Sequence, residues 1–327
     1  MKEWNILFTS AGRRVSLVKN FKETLTKLNV VGKIITADCK ENAPAAFVAD
    51  IHELVPSVTD NHYIDHLKRI CVDHNIRLII PLIDTELLRL ALHKKEFAEM
   101  GVTVLVSSPE VNEICFDKRK TGEFFRRIGV QTPEIYDAEE ILSTGAANYP
   151  YLMKPAYGSG SIGVTKINNA KELSFFKDYI PNAIVQEFIM GHEYTLDIFV
   201  DFDSNVQTVV PRLRMETRAG EVSKGITVKN QELIHAGKKV AGALPGAVGC
   251  VTVQCFVTPK NEIKFIEINP RFGGGVPLSI AAGADFPLWI MKMMSGEKLN
   301  PAMDDWKDGV VMLRYDEAIF MNQDLVC

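Results

Sequence analysis

Residues 265–275 read Phe-Ile-Glu-Ile-Asn-Pro-Arg-Phe-Gly-Gly-Gly. An apolar strand here delivers Glu267 and Asn269 to one face, because side chains two apart on a strand point the same way. Arg271 follows just past Pro270. Two oxygen ligands and a guanidinium beside a glycine loop suit a magnesium–polyphosphate centre, although a strand end with ordinary polar residues has the same composition. Gln254 stands thirteen residues before Glu267 on the apolar run 250–257, and Thr-Pro-Lys-Asn-Glu at 258–262 is a turn signal. The two runs therefore pair as a hairpin that brings Gln254 to Glu267 and Asn269. Three oxygen-bearing side chains on neighbouring strands can hold magnesium, with nucleotide phosphates completing the octahedron.

Upstream segments add matching chemistry. Lys154 ends an apolar strand and is followed by Pro-Ala-Tyr-Gly-Ser-Gly-Ser-Ile-Gly at 155–163. The glycines let backbone N–H groups turn inward, and Ser159 and Ser161, flanking Gly160, add hydroxyls; such a loop wraps a phosphate chain or is a plain hairpin. At 185–197 a strand leads to a hinge, where the backbone from Glu187 through Phe188 to Ile189 could meet a purine edge. Glu193 could accept from ribose hydroxyls, and a solvated hairpin is the other reading of the segment. Arg212, Arg214, Arg218 and Lys224 lie within 13 positions. The three arginines share parity, so an unbroken strand puts them on one face, as a solvated surface or as an anion reader. Ser10-Ala-Gly-Arg13-Arg14 opens a helix and either binds an anion through backbone amides or only makes a tight turn. No side-chain nucleophile is needed by any of this, and His192 and His235 are expected to be surface or packing residues.

These groups require a particular frame. Over the first hundred residues, strands at 5–11, 33–39, 77–82 and 103–108 alternate with helical patterns at 15–28, 63–74 and 86–100. That alternation predicts a parallel sheet covered on both faces, with ligands at the carboxyl ends of its strands. Residues 109–129 predict one helix or two, carrying Lys118. Strands at 149–155, 164–167 and 183–189 and a helix at 171–179 follow. From 191 onward a mixed sheet is expected, with helices at 231–243 and 277–294.

The chain has 327 residues, enough for two or three domains, with 46% hydrophobic and 24% charged residues. A formal charge of −4 gives no general attraction to nucleic acid or to an anionic membrane, so neither partner is expected. Six scattered cysteines without a C-x-x-C pair read as reduced residues of a cytoplasmic protein. No apolar run reaches membrane-spanning length, and a strand stands where a signal peptide would be.

Taken in order, Lys118 in Phe-Asp-Lys, Lys154 before the Gly/Ser loop, Gln-Glu-Phe-Ile-x-Gly-x-Glu at 186–193, and Gln254 with Glu267-Ile-Asn269-Pro-Arg271 resemble the ATP-grasp superfamily. The flavour is that of stand-alone ligases similar to the carbamoyl-phosphate synthase large subunit. The resemblance implies a Rossmann-like pre-ATP-grasp domain at 1–110 and a two-subdomain ATP-grasp fold, with a nucleotide lid at 111–185 and a metal-bearing large subdomain at 186–327. It implies that Lys118, Lys154, Ser159, Gly160 and Ser161 contact phosphates, that Glu187, Phe188 and Ile189 hold adenine, and that Glu193 holds ribose. Gln254, Glu267 and Asn269 would bind one or two magnesium ions. Arg271 would stand beside the transferred phosphoryl group, and Arg218 and Lys224, the nearest unassigned cations, are expected to orient the acyl phosphate or the substrate carboxylate. Arg214, Gly273, Gly274, Ser10 and Arg13 would line the substrate site. The position of Gln254 is acidic in many relatives, so a neutral amide leaves less charge for a second ion.

The implied reaction is ATP-dependent carboxylate–amine ligation through an acyl phosphate. Small carboxylate and amine substrates and a homodimer through the front domain are the expected partners. Phosphoryl transfer without ligation, or a non-catalytic ATP-binding regulatory subunit, are the alternatives.

Overall fold

The computed structural model describes residues 3–145, 148–158, 162–300 and 303–321. In chain order the front domain contains β1 (Asn5–Thr9), α1 (Val15–Lys27), β2 (Ile34–Asp38), β3 (Ile51–Leu54), α2 (Tyr63–Asp73), β4 (Ile76–Pro81), α3 (Asp84–Leu92), α4 (Lys94–Glu99) and β5 (Thr103–Val104). Its five strands form a parallel sheet in the order β3-β2-β1-β4-β5. Strands β1 and β4 are apolar and buried on both faces because helices cover both sides. Short β3, whose side chains are only partly buried, carried no such signal and escaped the sequence reading. The helix expected at 86–100 is two helices, broken at His93.

Two short helices lead out of this domain, α5 (Pro109–Phe116) and α6 (Lys118–Arg127). Ser108 caps the first by accepting from the Val111 amide, with Pro109 in its first turn, and Asp117 caps the second by accepting from the Arg119 amide. The lid follows: β6 (Ile135–Tyr136), α7 (Ala138–Thr144), β7 (Tyr151–Pro155), β8 (Thr165–Ile167), α8 (Ala170–Tyr179) and β9 (Ala183–Glu187), with sheet order β6-β9-β7-β8. The large subdomain contains β10 (His192–Val200), β11 (Val206–Arg218), β12 (Glu221–Thr227), α9 (Gln231–Gly242), β13 (Gly249–Val257), β14 (Ile263–Asn269), α10 (Val276–Ala281), α11 (Phe286–Met294) and β15 (Val311–Leu313). Its sheet order is β14-β13-β10-β11-β12-β15, antiparallel throughout.

The helix expected at 277–294 breaks in two at Gly283. That residue takes φ +112, after which Asp285 caps α11 by accepting from the Leu288 amide. The Gly-x-Asp-x-Pro run carries both the stop and the restart signals.

One apolar core runs from the front domain into the large subdomain. Phe21 of α1 meets Phe8 edge-on at 5.1 Å and Phe272, just past β14, at 6.1 Å between ring centroids. The lid packs around a smaller, separate core that includes Tyr151, Met153 and Ile167. The front domain and the large subdomain thus share a core, and the small sheet has its own.

Glu86 of α3 is fully buried and accepts from Tyr63 Oη at 2.6 Å, the Leu82 amide at 2.9 Å and Ser10 Oγ at 3.1 Å. Burial pushes its carboxyl up, while the hydrogen bonds from Tyr63 and the Leu82 amide pull the other way. Glu86→Ala would orphan them, and we expect a loss of about 2–4 kcal/mol in urea unfolding. An unchanged midpoint would show that the network carries no stability.

Candidate active site

A cleft of about 480 Å3 opens between the lid and the large subdomain, with the front domain along one side. The β13–β14 hairpin forms its floor. Gln254 stands directly opposite Glu267 and Thr252 opposite Asn269, so the period of two places all three oxygen-bearing side chains on the cleft face. Among the described residues, neither the Gln254 nor the Glu267 side chain makes a hydrogen bond or ion pair. Asn269 Oδ1 accepts from Arg271 Nη2 at 3.3 Å. Hard oxygen donors left without internal partners fit a magnesium ion, with phosphate oxygens supplying the remaining ligands. No group of three His, Cys, Asp or Glu gathers among the described residues, so such a site depends on the two amides and on the nucleotide.

Lys154 reaches the cleft from the end of β7. It is buried apart from its tip, and among the described residues its amine makes no hydrogen bond. Desolvation lowers its pKa to about 8, and Lys118 adds to the fall, while Glu267 opposes it. Lys118, the first residue of α6, donates through Nζ to Gly158 O at 2.6 Å and through its amide to Ala156 O at 3.0 Å. It thereby holds the entrance to the glycine loop. Ser159, Gly160 and Ser161 lie outside the described residues.

Glu193 of β10 faces the cleft and is ion-paired with Arg214, which also donates to Gly220 O at 2.8 Å. Burial pushes the Glu193 carboxyl up, against the pull of Arg214. Glu187 accepts from Lys264, Lys166 Nζ lies 4.6 Å from the Phe188 ring centroid, and Ile189 is half-buried. These three sit at the hinge between β9 and β10, and the cleft lining stops short of them. Gly273 and Gly274 line the cleft, whereas His192 and His235 are exposed.

Several expected positions must be corrected. Arg218 does not share a face with Arg212 and Arg214, because register shifts on either side of Glu216 break the alternation. Its exposed guanidinium pairs with Asp316 at 2.8 Å and Lys224 pairs with Glu216 at 2.8 Å, both outside the cleft lining. Arg218→Ala and Lys224→Ala are therefore expected to leave turnover within about twofold of the parent, since exposed pairs contribute little. A tenfold loss, read by ADP release, would restore them to the site. Arg212 is buried against Asp197 at 2.6 Å. Ser10 is engaged with Glu86, and Arg13 is exposed outside the lining.

Arg14, Glu221 and Asp84, none of them assigned to the substrate site from the sequence, fill the vacant places. Arg14 lines the cleft in place of Arg13, because the Arg14 amide closes a turn onto Ala11 O at 2.9 Å and Gly12 takes φ +47. It pairs with Glu221 at 3.1 Å. Asp84, the first residue of α3, receives Arg271 through Nε at 2.9 Å and Nη2 at 2.6 Å. Burial opposes the Arg271 charge, but Asp84 and Glu267 outweigh it and raise its pKa. The available signal for Asp84 was its position, just past the carboxyl end of a parallel strand.

A parallel front sheet, a small lid sheet and a large antiparallel sheet closing on a lysine- and carboxylate-lined cleft define an ATP-grasp enzyme. The chain belongs to that family: residues 115–275 match the ATP-grasp domain. Residues 6–105 match the PylC-like, N-terminal domain, so the front sheet is of that particular kind. The carbamoyl-phosphate synthase of Methanobrevibacter smithii is 26% identical over 250 residues, which are 71% of this chain and 68% of that protein. The carbamoyl phosphate synthase large chain of Clostridium beijerinckii is 24% identical over 224 residues, 62% of this chain but 20% of the relative. The chain thus spans about a fifth of the length of such large chains. A solved biotin carboxylase domain dimer of Hydrogenobacter thermophilus 2-oxoglutarate carboxylase, in complex with MgADP, ADP and bicarbonate, shares the fold. Its TM-score is 0.76 at 17% identity, covering 95% of this chain and 74% of that one. Among the described residues no helix is long and apolar enough to cross a membrane.

Proposed function

We propose that the chain is an ATP-dependent carboxylate–amine ligase that works through an acyl phosphate. The observation that carries this reading is the pairing of unengaged Gln254 and Glu267 beside Asn269, facing the same cleft as the amine of Lys154. Lys154 and Lys118 bind the phosphate tail. Glu193 takes the ribose, with the hinge from Glu187 to Ile189 at the base. Gln254, Glu267 and Asn269 would hold one magnesium ion, which when bound neutralises phosphate charge and aligns the phosphoryl group.

Arg271 stabilises negative charge on the phosphoryl oxygens as the substrate carboxylate attacks, ADP departs and an acyl phosphate forms. The amine then attacks the acyl carbon and phosphate leaves with the bridging oxygen. Closure of the lid excludes water that would hydrolyse the intermediate. The solved MgADP complex of the biotin carboxylase relative supports the nucleotide and the ion, and its dimer supports our reading of a homodimer. The five described cysteines are free, which supports a reducing, cytoplasmic location.

Measuring ADP and phosphate release with candidate carboxylates, with and without amines, tests the reading. Full turnover that needs both substrates supports it. Release that is complete with the carboxylate alone would reduce the protein to a phosphoryl-transfer enzyme, and no release under any pair would leave only nucleotide binding.

A further inference from the structure

Two ion pairs at the front-domain side of the cleft run in opposite senses. The front domain contributes the cation Arg14 and the anion Asp84, and the large subdomain answers with the anion Glu221 and the cation Arg271. The separations are 3.1 Å for Arg14–Glu221 and 2.6 Å for Arg271–Asp84. The pairs are close enough to interact: both Arg271 and Asp84 act on the Arg14 guanidinium, whose pKa is lowered chiefly by burial. Arg14, Glu221 and Arg271 all line the cleft. Gly274 lies between Arg14 and Glu221, where an added methyl would stand 2.4 Å from Arg14 Nη1 and 3.0 Å from the Glu221 carboxylate carbon. The glycine therefore keeps the centre of the quartet open.

We propose that this quartet reads a zwitterion, so that the carboxylate substrate is a free amino acid. The inference rests on the ligase reading above. The substrate carboxylate lies between the guanidiniums of Arg14 and Arg271, relieving two like charges held in a partly desolvated cleft. Its ammonium, one carbon away, goes to Glu221, the carboxylate of the quartet that lines the cleft, while Asp84 keeps hold of Arg271. Arg14 and Glu221 thus each exchange a protein partner for a substrate group of the same sign, Glu221 keeping Arg314 at 3.0 Å, and no charge is left buried and unpaired. A carboxylic acid without the amine makes only the carboxylate contacts and takes Arg14 from Glu221 with nothing in return. Because Arg271 is shared with the phosphoryl site, the carboxylate bound in this way is the one that attacks.

Hydroxylamine is a suitable probe amine. Its nitrogen attacks the acyl phosphate, a C–N bond forms, phosphate leaves with the bridging oxygen, and the hydroxamate is measured by colour. The full chain is assayed with MgATP, hydroxylamine and each standard amino acid, beside the deamino acid of the same skeleton. At least one amino acid should exceed its deamino counterpart by about tenfold or more in kcat/KM, as expected when a charged site loses its ligand. Glu221→Gln should raise the KM for that amino acid about tenfold with ATP affinity kept within about twofold. Gly274→Ala, whose methyl would push the Arg14 guanidinium aside and fill the centre, should do the same. Equal use of deamino acids, or an unchanged KM in both variants, overturns the inference while hydroxamate formation keeps the ligase reading. An absence of hydroxamate with every acid, although MgATP binds, overturns the ligase reading and this inference together.

Discussion

Replacing Arg271 with alanine is expected to lower turnover by about 10²- to 10³-fold while weakening ATP binding by less than about tenfold. The guanidinium is 11% exposed, donates two hydrogen bonds to Asp84, and stands next to Asn269 and near Glu267. A cation fixed in this way is already oriented when charge develops, so its effect belongs to the transition state more than to the resting nucleotide. Single-turnover ADP formation separates the two contributions. Equal losses in rate and affinity would make Arg271 a plain binding residue. Asp84→Asn should give a smaller loss in the same direction, because the guanidinium keeps its charge and loses part of its orientation.

Lys154 is expected to make ATP binding depend on pH. Its pKa of about 8 means that the amine carries its charge below that pH and loses it above. Affinity for ATP should therefore fall as pH rises through about 8, since bound phosphates require the proton. Titrations between about pH 6.5 and pH 9.5 should show this step, and Lys154→Met should bind ATP about 10- to 100-fold more weakly with the step gone.

The stability effect has the opposite sign. The folded pKa is depressed below the ordinary 10.5, so between about 8 and 10.5 the unfolded chain holds more protons and stability rises with pH. Below pH 8 the buried charge costs stability in full. A pH-independent ATP affinity in the parent would show that Lys154 is not at the phosphates.

Legibility from sequence followed how local each determinant was. The facing of Gln254 and Glu267 could be derived, because Thr-Pro-Lys-Asn-Glu at 258–262 fixes a turn and two apolar runs flank it. The parallel front sheet was equally legible from alternating runs, and the Phe-Asp-Lys capping junction left only the choice between one helix and two. Parity failed at Arg218, because the irregular register around Glu216 leaves no mark in composition. The choice between Arg13 and Arg14 depended on a turn whose dihedrals no pattern of residue types reveals. Asp84 was passed over because its partner is 187 positions away, and long-range pairing is what a single sequence states least directly.

The account turns on divalent-dependent grip of the nucleotide by the β13–β14 hairpin. Isothermal titration of ATP into the full chain, with and without magnesium, tests this directly when repeated for Glu267→Ala. Magnesium should tighten binding to the parent by about tenfold or more and should lose most of that effect in the variant. An equal magnesium effect in both proteins would contradict the placement of the ion on this hairpin, and with it the site proposed for the reaction.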